Sequence, residues 1–86
     1  MRKARDVDVL KAAAAEIKAC RARAKISQEE LAHRAEVHRS FVARLEVAET
    51  QPSLAVLFRL AEALEVEPAD LVRAIAVRLK HERMRV

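Results

Sequence analysis

The chain has 86 residues, one domain's worth, and contains no glycine where average usage of ~7% predicts about six. That absence excludes glycine-rich phosphate loops, dinucleotide-binding turns and the nucleophile elbow, all of which need a residue without a side chain where backbone meets ligand. With 18 alanines, two prolines and neither Tyr nor Trp, strands and tight hairpins are disfavoured too, and a net charge of +4 leaves nucleic acid open as a partner.

The first helix is expected from residue 6 to about 24, because Val7, Leu10, Ala14, Ile17 and Cys20 or Ala24 keep the three-and-four spacing of one face. Ser27-Gln28-Glu29-Glu30 then reads as a capping box, with the serine hydroxyl accepting from a first-turn amide and the glutamate reaching back. It opens a second helix from Gln28 to about Ala35 that buries Leu31, Ala32 and Ala35. At eight residues it needs its neighbours, since isolated helices below ~12 residues are marginal. A third helix, from Arg39 to about Val47, sets Phe41, Val42 and Leu45 on one arc and Arg39, Ser40, Ala43 and Val47 on the other, with Arg44 at the edge. Ser53 caps a fourth helix to Leu64 with the stripe Leu54, Leu57, Phe58, Ala61, Leu64. Pro68 suits the first turn of a fifth helix, with Glu67 as its cap and Leu71, Val72, Ile75 and Leu79 as its apolar face. The chain therefore reads as all-α.

The charge is uneven. Residues 1–25 sum to +5, 26–52 to −2, 53–72 to −3 and 73–86 to +4, so both ends are basic. No apolar run approaches the ~18 residues of a membrane span, and no membrane partner is expected. Cys20 is the sole cysteine, which rules out an intrachain disulfide and fits a reducing, cytoplasmic setting. On the inner half of its helix it reads as a small hydrophobe. His33, His38 and His81 have no carboxylate or thiolate at ligand spacing, so neither a metal nor a cofactor is expected. No paired carboxylates and no Ser/His/Asp set stand out, which argues against an enzyme.

Across the chain, Ile17, Arg21, Ser27-Gln28-Glu29-Glu30-Leu31-Ala32, Val37-His38-Arg39-Ser40-Phe41-Val42, Leu45-Glu46, Pro52-Ser53-Leu54 and Leu60 to Val66 resemble the XRE family of helix-turn-helix regulators, the Cro and phage-repressor type. The resemblance covers about residues 13–76 of a single domain, 1–86, with a basic extension over 1–12 and a basic helical tail over 77–86. It implies a five-helix, lambda-repressor-like domain with the helix-turn-helix at about 28–47, an extended C-terminal helix, and a third helix that enters the DNA major groove. Arg39, Ser40, Ala43 and Arg44 become the candidate base contacts. Gln28, His38, Gln51 and Ser53 become the candidate phosphate contacts. His38 stands where the family usually has a Ser or Thr cap, which puts the capping bond in question.

The resemblance also pairs Arg21 with Glu46 as a structural ion pair. Leu71, Val72, Ile75 and Leu79 then suggest a homodimer, and the expected function is a sequence-specific double-stranded DNA-binding regulator on a palindromic operator. The small stand-alone regulators it resembles include restriction-modification controller proteins. The alternative is an antitoxin-like or adaptor protein, whose partner would be polymerase or a toxin-like chain. Family members commonly place glycine where this chain has Lys25, Glu36, Ala48 and Glu65. At least one of these four is expected at positive φ, with Ala48 the one to have changed its turn.

Overall fold

The computed structural model describes residues 4–84; Met1, Arg2, Lys3, Arg85 and Val86, part of the two basic ends, lie outside the described residues. Five helices follow in chain order: α1 (Ala4–Ala24), α2 (Gln28–Ala35), α3 (Arg39–Glu46), α4 (Leu54–Ala63) and α5 (Pro68–Met84). All five agree in place with the apolar spacing. None of the described helices is long and apolar enough to cross a membrane.

α1 packs against both α5 and α3, so it buries a wide arc: Leu10, Ala12, Ala13, Ala14, Ile17 and Cys20. Successive residues on a helix lie ~100° apart, and three buried neighbours in a row therefore require cover on more than one side. Methyl-sized side chains let the neighbours come close. Ala24, offered as an alternative to Cys20 for the end of this face, is exposed, because the helix has by then passed the core.

The core is one cluster of Ile17, Leu31, Ala32, Ala35, Val42, Leu45, Leu60, Ala61, Leu64 and Leu71, with Ile26, Val37, Phe41, Leu57 and Ile75 packed at its margin. Two expectations change here. On α4 the buried face is Leu60, Ala61, Ala63 and Leu64, whereas Leu54 and Phe58 stay 71% and 53% exposed. Val56 and Leu57 in the first turn pack against the core, so the covered face is turned by roughly 100° or more from Leu54 and Phe58, which sit at the outer edge of the apolar stripe. On α5, Leu71 is 2% exposed and belongs to the monomer core, so it offers no surface to a second chain.

The joints replace glycine with residues held in the left-handed region. Lys25, Glu36, Ala48 and Glu65 all have positive φ, at 59°, 57°, 63° and 57°. Ala48 has therefore kept its turn, contrary to the sequence reading. Each joint carries the same pair of hydrogen bonds. Lys25 N donates to Ala22 O and Ile26 N to Arg21 O; Glu36 N to His33 O and Val37 N to Ala32 O; Ala48 N to Leu45 O and Glu49 N to Arg44 O; Glu65 N to Glu62 O and Val66 N to Ala61 O. These are four Schellman caps, each satisfying carbonyls that the helix end leaves without partners. In three of them the next residue, Ile26, Val37 or Val66, packs against the core, which ties the reversed residue to hydrophobic burial.

Two buried carboxylates join distant elements. Glu46, at the end of α3, accepts from Arg21 Nε at 2.7 Å and Nη2 at 2.9 Å, and from Gln28 Nε2 at 3.0 Å; Arg21 Nη1 also donates to Ile26 O at 2.9 Å. One guanidinium thus binds α1, the α1–α2 joint and α3, while Gln28 adds α2. Glu16 on α1 accepts from Arg78 Nε of α5 at 2.7 Å, from Arg23 Nη2 at 3.2 Å and from the Cys20 thiol at 3.3 Å. Burial alone would push both carboxyls up. For Glu16 the bonds from Arg78, Cys20 and Arg23, and for Glu46 those from Arg21 and Gln28, outweigh it and hold both below the ordinary glutamate value. Burial and its hydrogen bond to Glu16 raise the Cys20 thiol instead.

The capping expectations resolve individually. Ser27 Oγ accepts from Glu30 N at 3.0 Å, but the Glu30 carboxylate takes Arg34 Nε at 2.8 Å rather than turning back to the Ser27 amide. Pro68 opens α5 where its missing N–H costs nothing, and the Glu67 carbonyl accepts from Leu71 N. Arg59 of α4 donates to Ala35 O at 2.9 Å and so closes the end of α2.

Ala48→Gly removes the left-handed penalty at the α3–α4 joint and adds chain entropy to the unfolded state. The expected net gain is ~0.5–1 kcal/mol, seen as a melting temperature higher by a few degrees. A lower melting temperature would show that Ala48 is unstrained. Glu46→Gln leaves Arg21 without its charge partner and is expected to cost ~3 kcal/mol in urea unfolding at neutral pH. Because the folded carboxyls titrate below their unfolded value, their stabilisation is present above ~pH 4.3 and is lost as pH falls through the folded values. The variant should therefore lose part of the acid-side decline, and a stability equal to that of the parent at neutral and at acid pH alike would mean that the pair contributes nothing.

Candidate nucleic-acid interface

α2 and α3 pack on each other, and α3 also lies against α1. Of the eight residues of α3, Val42, Leu45 and Glu46 are buried and Phe41 is half-buried. At ~100° per residue these four fill one arc of about 140°, which leaves Arg39, Ala43, Ser40 and Arg44, with the C-cap Val47, across the opposite one. Arg39, Ser40, Arg44 and Val47 are exposed, and Ala43 is half-buried. No acidic side chain interrupts the free arc, since the one carboxylate of α3 is Glu46, turned inward onto Arg21. Arg39 has no ion pair among the described residues, and Arg44 has only Glu49 at 3.9 Å, with both partners well exposed. Two cations are thereby presented from a helix whose orientation is set by buried groups.

The imidazole of His38 supplies the cap that the usual hydroxyl would give. Its Nδ1 accepts from Ser40 N at 3.1 Å, and Ser40 Oγ lies 2.8 Å from the same nitrogen. His38 N-caps α3 in extended conformation and is exposed. Of the other candidate phosphate contacts, Gln28 is half-buried with its side-chain amide on Glu46, so its role in holding α3 is direct and its outward reach is limited to the remaining N–H and oxygen. Gln51 is exposed in the loop after α3, and Ser53 Oγ caps α4 by accepting from Val56 N at 3.2 Å.

Arg21 and Glu46 are brought together with the geometry of a forked guanidinium–carboxylate pair. Sequence reasoning missed Glu16, Arg78 and Arg59, whose partners lie 62 residues away in the first two cases and on another helix's last carbonyl in the third. A charged residue next to a core position was the available signal for Glu16. Nothing in the spacing identified Arg78 as its partner. Among the described residues no three His, Cys, Asp or Glu side chains group to hold a metal ion.

Comparison with known proteins bears on this arrangement. A helix-turn-helix family profile matches residues 17–71, from the middle of α1 to the start of α5. The restriction-modification controller protein C.AhdI from Aeromonas hydrophila is 32% identical over 72% of this chain and 94% of that one, with a TM-score of 0.70. The clp gene regulator ClgR from Corynebacterium glutamicum has a TM-score of 0.81 at 23% identity, over 87% of this chain and 80% of its own. A mutant of the restriction-modification controller protein C.Esp1396I gives 0.79 at 20% identity, over 93% and 96%. No curated protein sequence matches. The chain belongs to the XRE type of the helix-turn-helix family, whose members are DNA-binding transcription regulators rather than enzymes.

Proposed function

We propose that the protein is a sequence-specific regulator that binds a palindromic double-stranded DNA operator as a homodimer, with α3 in the major groove. The observation that carries this reading is the exposed arc of Arg39, Ser40, Ala43 and Arg44, which holds no carboxylate of α3 and meets only the exposed Glu49 at 3.9 Å from Arg44, on a helix locked from behind by Arg21 and Glu46. Arginine in such a position matches guanine O6 and N7, and Ala43 offers a methyl to thymine. His38, Gln51 and Ser53, with the free part of Gln28, act at the backbone phosphates and set register rather than sequence. Regulation then follows from occupancy of a site near a promoter, and needs no cofactor.

The dimer uses α4 and α5. Val72 is exposed, and Ile75 and Leu79 are half-buried; with Ala76 they lie within an arc of about 100° on the helix. Leu54 and Phe58 add exposed apolar surface on α4. Exposed apolar groups of this size on two neighbouring helices favour a protein contact. A symmetric pair places its two recognition helices ~34 Å apart, one turn of duplex. The likeness to C.AhdI, described as a restriction-modification controller protein, supports a small stand-alone regulator of that kind.

Arg39→Ala is expected to weaken binding to the preferred site by ~1–3 kcal/mol and to relax selectivity at one base pair of each half-site, measured by titration against sequences selected from random DNA. Unchanged affinity and selectivity would remove Arg39 from the base contacts. In light scattering, the parent should give a twofold particle and the Val72→Asp, Leu79→Asp double variant a monomer. A dimer that survives those two charges places the interface elsewhere.

A further inference from the structure

The His38–Ser40 contact determines what Ser40 can offer to a base. A backbone N–H only donates, so Ser40 N at 3.1 Å from His38 Nδ1 requires that nitrogen to carry its lone pair, with the ring proton on Nε2. The Ser40 hydroxyl lies 2.8 Å from the same nitrogen, and in that tautomer it meets no proton there, so the contact is favourable when the hydroxyl donates and shares the one lone pair with Ser40 N. Its proton is taken up inside the turn. What Ser40 presents outward is oxygen lone pairs alone.

We infer that Ser40 is a specificity-determining residue that reads a base amino group, cytosine N4 or adenine N6, because His38 removes its capacity to donate. In general a serine at a base edge can serve either donors or acceptors, since its hydroxyl rotates. Here the cap restricts that choice: thymine O4, guanine O6 and guanine N7 are acceptors and face a lone pair instead of a proton. The same capture leaves Nε2–H of His38 as a neutral donor, suited to a phosphate oxygen and uninformative about sequence. His38 thus acts as a positioning residue, and its effect on specificity passes through Ser40. This inference rests on the DNA-reading function proposed above.

The test is selection of bound sequences from random DNA by the full chain and three variants, with thermal melting of each. The parent should prefer adenine or cytosine over guanine or thymine about fivefold at one position of each half-site, and Ser40→Ala should bring that ratio near unity. His38→Ala frees the hydroxyl to rotate and should admit guanine or thymine there. His38→Asn, whose side-chain oxygen can accept from both Ser40 groups and cap the helix, should keep the parent's preference. A Ser40-dependent preference for guanine or thymine in the parent, or an unaltered pattern in both Ser40→Ala and His38→Ala, overturns the assignment. Imidazole nitrogen resonances of the free protein at pH 8 give a readout independent of DNA and of variant stability: an unprotonated Nδ1 on His38 supports the assignment, and an Nδ1–H overturns it. No enrichment with the parent protein instead refutes the DNA-reading function itself, which separates the two failures.

Discussion

The orientation of α3 depends on one of the two buried carboxylates, Glu46. Glu46 closes α3 and receives Arg21 from α1 and Gln28 from α2, while the same guanidinium holds the Ile26 carbonyl at the joint between those helices. α3 has eight residues and cannot persist alone, so its direction relative to the rest of the chain must come from contacts outside itself. Apolar packing of Val42 and Leu45 supplies most of the attachment but is non-directional. The forked ion pair adds direction, because binding through both Nε and Nη2 holds the carboxylate close to the plane of the guanidinium. The base-reading role proposed for α3 would draw on that definition more than on further stability.

A second constraint is the reuse of one joint geometry without glycine. Four left-handed residues with Cβ atoms are retained in a small domain, each at a cost on the order of 1 kcal/mol. The hydrogen bonds of the Schellman cap and the burial of Ile26, Val37 and Val66 beside three of them offset that cost. The helix-turn-helix depends on the one at Glu36. There Val37 turns into the core, and His38 arrives extended at the start of α3 with its ring placed to cap it.

Charge is segregated in a way that the summed value hides. Both buried carboxylates, Glu16 and Glu46, face arginines, so neither contributes a free negative charge to the surface. The free arc of α3 is therefore basic although its sequence segment sums to −2. Exposed acidic groups gather instead at the ends of α2 and α4, where Glu36, Glu62 and Glu65 line a shallow hollow with His33 and Arg34. On the arc itself Arg39 and Arg44 face a single exposed carboxylate, Glu49, 3.9 Å from Arg44 at its edge, so the local balance is positive, as the proposed contact with an anionic duplex requires.

The sequence alone determined the five helices, their joints and the buried faces of α2 and α3. These follow from local rules: a 3.6-residue period, Ser caps, Pro68 at a first turn, and a core small enough that helix-turn-helix spacing left few alternatives. The family resemblance marked Lys25, Glu36, Ala48 and Glu65 as standing where relatives place glycine, but it did not foresee that Ala48 would keep the left-handed turn. Only the tertiary structure decided which apolar residues remained outside. Leu54 and Phe58 share the period of the apolar stripe but sit at its outer edge, roughly 100° or more around the helix from the centre of the face that Leu57, Leu60 and Leu64 turn to the core, whereas Leu71 is enclosed, so periodicity names a stripe without saying which edge of it is covered. The Glu16–Arg78 link and the capture of the Ser40 hydroxyl by His38 were likewise closed to the sequence. The first joins residues whose separation in the chain is unrelated to their distance in space. The second depends on which nitrogen of a ring faces a backbone amide, a choice made only when the turn and the helix it caps are both in place.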